Sequence, residues 1–101
     1  MIYDLTRDGM AEYVNTPFVV VNAPAAPVTV QLIEVTPRRA TPRQEIFSLM
    51  FHGPADRLLP QSTYTLRHEQ LGEFYLMLVP VEKDENGFIY EAAFNRLIQA
   101  T

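Results

Sequence analysis

Short runs of alternating apolar and polar residues, separated by Pro, Gly and Asn, most limit the folds open to this chain of 101 residues. A period of two places successive side chains on opposite faces of a β-strand. Six runs predict strands, and they span 18–21, 28–35, 45–52, 63–68, 73–81 and 88–95. Because no helix separates these runs, we expect consecutive strands to pair, and we predict a mainly β fold, a small antiparallel sandwich or barrel.

Local signals refine this pattern. The alternation that begins at Val28 slips at Ile33-Glu34, which predicts a bulge in the second strand. The segment 84–87, Asp-Glu-Asn-Gly, is typical of a tight hairpin because Asn-Gly tolerates positive φ. The strand 73–81 is apolar on both faces, so we expect it to lie centrally or beneath a second layer.

One short helix is predicted before the first strand, from Thr6 to Val14. Thr6 is a favourable residue at a helix start, and Met10, Tyr13 and Val14 recur at helical spacing. Gly9 in the interior costs about 1 kcal/mol relative to Ala, which fits a short helix held by packing.

Composition narrows the class of protein. The length and the absence of a linker predict one domain over residues 1–101, and 48% hydrophobic residues supply a core. The net charge of −4 disfavours binding to nucleic acid or to an anionic membrane. There is no cysteine for a disulfide or a thiolate metal site. The polar start of the chain does not resemble a secretion signal, so we expect a cytoplasmic location, or incorporation in an extracellular particle without a classical signal peptide.

Three stretches carry a family resemblance: 47–54 (FSLMFHGP), 59–68 (LPQSTYTLRH), and 71–74 (LGEF) running into 78–81 (LVPV). Together they resemble an uncharacterised family of small bacterial β domains, catalogued as a domain of unknown function. The resemblance spans about residues 10 to 95. The chain departs from the family pattern at Ser62, where Gly is common, and at Glu69, where Pro is common.

The resemblance implies a fold and a context, since the family has no established activity. Its members are often encoded beside proteins with phage-tail-collar-like domains. That context implies a structural or assembly accessory of a tail-like fibre, an argument by association.

The residues offer no clear catalytic or metal site. His52 and His68 each end a predicted strand near carboxylates, but they lack the close spacing of metal ligands, and such histidines commonly bond a turn backbone. Ser48 and Ser62 stand outside any Gly-x-Ser-x-Gly elbow. We therefore expect no enzyme activity, no cofactor and no metal.

Two groups of residues are candidates for binding a protein partner. One is the second face of the sheet, formed by Ile46, Met50, Tyr75, Met77 and Val79. If that face is open to water it marks an interface, whereas in a sandwich or beneath the helix it is interior. The other is a loop bracketed by Pro37 and Pro42, which carries Arg38, Arg39 and Arg43. That loop either docks an acidic partner or is simply hydrated.

Three functions remain open on the sequence. The leading hypothesis is a non-enzymatic structural or protein-interaction domain, acting on a protein partner or by self-association. The alternative is a small-ligand or carbohydrate-binding module that uses tyrosines as stacking platforms: Tyr3, Tyr13, Tyr64, Tyr75 and Tyr90. A hydrolase requires His52 and His68 to converge within a few Å.

Overall fold

A computed structural model of the chain describes residues 7–41 and 44–97. It contains one helix and six strands, in the order α1 (Arg7–Ala11), β1 (Pro17–Val20), β2 (Val28–Thr41), β3 (Gln44–Pro54), β4 (Ser62–His68), β5 (Gly72–Asp84) and β6 (Gly87–Leu97). The predicted mainly β class with one short N-terminal helix is confirmed. No helix among the described residues is long and apolar enough to cross a membrane.

The strands form one closed antiparallel barrel in the order β1-β2-β3-β6-β5-β4. The expectation that consecutive strands pair is therefore wrong at one point, because β3 lies beside β6 instead of β4. The connection 55–61 is long enough to carry the chain across one end of the barrel, and the tight turn 84–87 folds β6 back between β5 and β3.

Alternation of side chains builds the core inside the barrel. Phe47, Leu49 and Phe51 of β3 are fully buried, and they meet inward residues of the other five strands. Phe18 of β1 packs edge-to-face on Phe51, with ring centroids 5.3 Å apart. Met10 anchors α1 on this core and is also buried.

The helix is shorter than the predicted span from Thr6 to Val14, and Thr6 lies outside the described residues. Backbone N–H groups of Tyr13 and Val14 bond carbonyls three residues back, a tighter turn than an α-helix makes. Asn15 then adopts a left-handed conformation with φ of 71°, which ends the helix before β1.

Three register shifts interrupt the ladders, two in β2 and one in β5. The predicted slip in β2 is confirmed between Leu32 and Glu34. A second shift follows Pro37, and a shift in β5 follows Pro80. Proline lacks an N–H donor and is tolerated where a ladder is already interrupted.

The prediction of a loop bracketed by Pro37 and Pro42 is wrong. β2 continues through Pro37 to Thr41, so Arg38 and Arg39 lie in a strand, while Arg43 lies outside the described residues. Beyond Leu32, β2 pairs with β3 but not with β1, and an edge strand accommodates Pro37 without losing a ladder bond.

The hairpin 84–87 joins β5 to β6 as predicted, with Asp84 opposite Gly87. The Asp84 carboxylate accepts hydrogen bonds from the backbone N–H groups of Asn86 and Gly87, each 2.8 Å away. Gly87 has a φ of 155°, and a Cβ there would lie 1.9 Å from the carbonyl oxygen of Gly53. A glycine is therefore required at position 87, because β6 approaches the backbone of β3 closely there.

Candidate functional site

The outer face of β5 is the most apolar exposed surface among the described residues. Tyr75 is 76% exposed, Met77 is 53% exposed and Val81 is 49% exposed. We call these three residues the outer patch. The strand lies between β6 and β4, one of the two placements expected for 73–81, and because the barrel has a single layer, no described second layer covers it. The alternative that Tyr75 and Met77 are interior is thus excluded.

Beside Tyr75 and Met77, the outer patch is bordered by two threonines and one ion pair. Thr65 lies opposite Tyr75 on β4, and Thr63 lies opposite Met77. In the next row the Arg67 guanidinium donates to the Glu73 carboxylate at 3.0 Å. A pair already neutralised at the rim leaves burial of apolar area as the main attraction of this surface.

The other three residues predicted to share the second face also point outward: Val79 adjoins the outer patch, between Met77 and Val81 on β5, whereas Ile46 and Met50 lie on β3. Met50 and Val79 are half-buried and flank Glu91 in one row across three strands. Ile46 is on the part of β3 that pairs with β6 beyond that row. In the ladders, β6 beyond Glu91 pairs with β3, and β5 before Val79 pairs with β4. The pair β3–β6 thus diverges from the pair β4–β5, which separates Ile46 and Met50 from Tyr75 and Met77.

Ser48 lies on the outer side of β3, next to the row that contains Met50 and Glu91. It points outward but is buried, and its hydroxyl donates to the Glu91 carboxylate at 2.5 Å. The Ser48 hydroxyl is thus buried and held by the Glu91 carboxylate, an arrangement typical of side-chain packing.

A second candidate surface is a cleft with several polar side chains, which we call the polar cleft. It is a cleft of about 640 Å³ between the start of β2, the end of β3 and the hairpin turn. Its polar lining consists of Thr29, Gln31, His52, Arg57 and Asn86. The Arg57 guanidinium donates to the carbonyls of Pro24 and Ala26 at 2.7 Å each, which fixes the wall of the cleft. No sequence signal marks Arg57, because its partners are backbone atoms distant in sequence.

His52 lies in this cleft and His68 does not. His52 Nε2 is 3.4 Å from the Asp84 carboxylate. The pKa of Asp84 is lowered, first by the N–H of Asn86, with smaller contributions from His52 and the N–H of Gly87. The described residues contain no group of three or more His, Asp or Glu that could hold a metal ion.

His68 is 5% exposed and packs against the rings of Phe18 and Tyr13. Its Nδ1 accepts the backbone N–H groups of Gln70 and Leu71, at 3.0 and 3.3 Å. The proton is therefore on Nε2, which donates to the Thr16 hydroxyl at 3.0 Å. Burial lowers the pKa of His68, and the charge of Glu69 opposes this shift. His52 is on β3 and His68 is on β4, and β2 and β1 lie between these strands in the sheet order, so the two histidines do not form a joint site.

Most of the described tyrosines are too buried to stack on a ligand. Tyr64 and Tyr90 are buried, Tyr13 is half-buried, and Tyr3 lies outside the described residues. Burial raises the pKa values of both Tyr64 and Tyr90. Tyr75 alone among the described tyrosines is open, and none of them lines the polar cleft.

Comparison with known proteins gives one positive result. A family model described as Domain of unknown function (DUF6916) matches residues 5–94. No curated protein and no solved structure matches the chain.

Proposed function

Because the chain belongs to the family described as Domain of unknown function (DUF6916), we propose its function from its surface: a non-enzymatic protein-interaction domain that docks through the outer patch. The observation that carries the proposal is the exposure of Tyr75 and Met77 side by side on β5. Aromatic residues and methionine are enriched in interface cores, where they add apolar area with little polar cost.

The backbone of β5 supports the same role. Within the described residues, its segment 72–78 pairs with β4 on one side and with no strand on the other. An unpaired strand edge can accept a strand from another chain, which adds main-chain hydrogen bonds to the apolar contact. The partner is another protein or a second copy of the domain. By the resemblance noted above, the setting is the assembly of a phage-tail-like or fibre structure.

Photocrosslinking tests this proposal. A benzophenone amino acid at position 75 should give a discrete adduct when cells of the native host are irradiated, and the same probe at exposed Glu12 should not. Met77→Ser should weaken the adduct because it removes apolar area beside the probe. A protein that sediments as a strict monomer and labels equally at both positions contradicts the proposal.

The polar cleft supports a second candidate, binding of a small polar ligand. Its volume of about 640 Å³ falls in the usual range for ligand sites, and five polar side chains line it. Screening by NMR with small sugars and carboxylates should then shift the amide signals of Gln31 and His52 and leave that of Met77 unchanged. Shifts spread evenly over the surface would reject it.

A further inference from the structure

The outer face also contains a groove of about 320 Å³, which none of the outer-patch residues lines. It is lined by Ile33, Glu34, Thr36, Met50, Glu82 and Ile89, which we call the β3–β6 groove. Met50 of β3 and Ile89 of β6 form its floor, and both are half-buried. Ile33 adds an exposed apolar edge. The groove is therefore an apolar channel open to water.

The register shifts place a carboxylate on each wall. The shift between Leu32 and Glu34 sets Glu34 opposite Met50. The shift between Pro80 and Glu82 sets Glu82 opposite Ile89. Bulges increase strand twist and re-aim side chains, so two bulges at the same level of the sheet produce a concave surface with acidic walls.

The electrostatics of the groove favour a cation. Two of its six lining residues, Glu34 and Glu82, are acidic and none is basic. Glu34 accepts a hydrogen bond from the Thr36 hydroxyl, which positions its carboxylate. The nearby Lys83 lies over the ring of Phe88, with its Nζ 5.4 Å from the ring centroid.

We propose that the β3–β6 groove binds an extended basic segment of another protein, an inference that rests on the interaction function proposed above. Arginine or lysine head groups meet Glu34 and Glu82, and their aliphatic stems lie over Met50 and Ile89. A second copy of the chain is the poorer occupant because each copy has a net charge of −4.

The width of the groove sets the spacing of the basic residues. From β2 across β3 and β6 to β5 there are three strand intervals, about 14 Å in all at the usual spacing. An extended chain covers this distance in about four residues, and residues i and i+4 project to the same side. The segment that fits has basic residues four apart and an apolar residue midway between them.

A synthetic peptide tests the proposal directly. Fluorescein-labelled Gly-Arg-Thr-Leu-Thr-Arg-Gly has the required spacing, and Gly-Arg-Arg-Thr-Leu-Thr-Gly is its control of equal charge. By fluorescence anisotropy the spaced peptide should bind at least about five-fold more tightly, and raising the salt from about 0.05 M to about 0.5 M should weaken its binding.

Matched variants locate the site. Glu34→Lys with Glu82→Lys should weaken the spaced peptide at least about ten-fold, since it replaces two attractions by repulsions. Glu12→Lys with Glu85→Lys changes the net charge equally at exposed positions outside the groove and should weaken it less than about three-fold. If circular dichroism shows that the first pair does not fold, Glu34→Gln with Glu82→Gln replaces it, with an expected loss of about three-fold, and Glu12→Gln with Glu85→Gln becomes the control, with an expected loss below about 1.5-fold.

Three results would overturn the proposal: no binding of the spaced peptide at millimolar concentration, equal affinity for both peptides, or equal weakening by the two variant pairs. Crosslinking from position 75 does not involve Glu34 or Glu82. A retained position-75 adduct with a failed peptide test rejects the groove alone, whereas the reverse result rejects the outer patch.

Discussion

The hydroxyl of Tyr90, in the barrel core, accepts a hydrogen bond from the backbone N–H of Leu59 at 2.9 Å. Both residues are buried, so this contact satisfies a donor that water does not reach. It also fixes the connection that carries the chain from β3 to β4, because Leu59 lies in the middle of that crossing. A side chain on β6 thereby holds the segment that separates β3 from β4.

Tyr90→Phe should therefore lower the free energy of unfolding by about 1–3 kcal/mol, since it leaves the Leu59 N–H buried without a partner. Tyr75→Phe removes the same hydroxyl from an exposed ring and should change stability by less than about 0.5 kcal/mol. Urea denaturation of both variants makes the comparison. Equal effects would contradict the role given to Tyr90.

The sequence was a good guide wherever alternation alone decides a strand. It was a poor guide at Pro37, where a proline in an edge strand looks the same in sequence as one that begins a loop. The pairing of β3 with β6 depends on the route of 55–61 across the barrel, which no local pattern encodes.

Side-chain alternation also predicts part of the candidate site. Tyr75 and Met77 were identified as a potential surface from the period of the strand, and the single-layer barrel leaves both exposed. The separation of Met50 from Tyr75 and Met77 arises because this part of β5 pairs with β4, whereas β3 pairs with β6. Glu34 and Glu82 meet the same groove only because a bulge sits on each side of it, a tertiary coincidence beyond the reach of spacing arguments.

His68 should make stability depend on pH. Its pKa in the folded protein lies below the ordinary value, chiefly because burial disfavours the cation. As the pH falls, the unfolded chain binds a proton first, so stability is fully present above about pH 6.5 and declines from there towards the lower pKa of the folded state. Urea midpoints measured between about pH 7.5 and about pH 5.5 should show the decline.

His68→Gln separates this effect from other titrations. The variant should be less stable at neutral pH, because it loses the ring contacts with Phe18 and Tyr13, but its stability should vary less over the same pH interval. All other titratable groups are the same in the two proteins, so the difference between the slopes reports on residue 68. An identical slope in the two proteins would show that His68 is not the group responsible.

Gly87→Ala should be strongly destabilising. The added Cβ would lie 1.9 Å from the Gly53 carbonyl oxygen, a backbone atom that cannot move away without shifting β3. We expect a loss of at least about 2 kcal/mol from strain at this position. Glu85→Ala changes an exposed side chain in the same turn and should cost less than about 0.5 kcal/mol, so thermal denaturation of the pair tests the steric cause.

The seam between β1 and β4 closes the barrel with few ladder contacts, and Asn22 extends it. Val19 and Val20 pair with Arg67 and Leu66, and the Asn22 side-chain oxygen then accepts the N–H of Thr65 at 2.8 Å. Asn22→Ala should cost about 1 kcal/mol and speed exchange of the Thr65 amide hydrogen more than that of amides in β3.

Asn22→Asp keeps an acceptor oxygen at the same position, so it should preserve most of the slow exchange at Thr65. Amide exchange followed by NMR resolves the two variants residue by residue. If Asn22→Ala leaves Thr65 protected, the seam is held by the strand pairs and the bond from the Val21 N–H to the Thr65 carbonyl at 2.9 Å. If both variants expose Thr65 equally, shape rather than the acceptor at residue 22 maintains the seam. If the Thr65 amide stays protected in Asn22→Asp and loses protection in Asn22→Ala, a single side-chain oxygen at residue 22 completes the closure of this barrel.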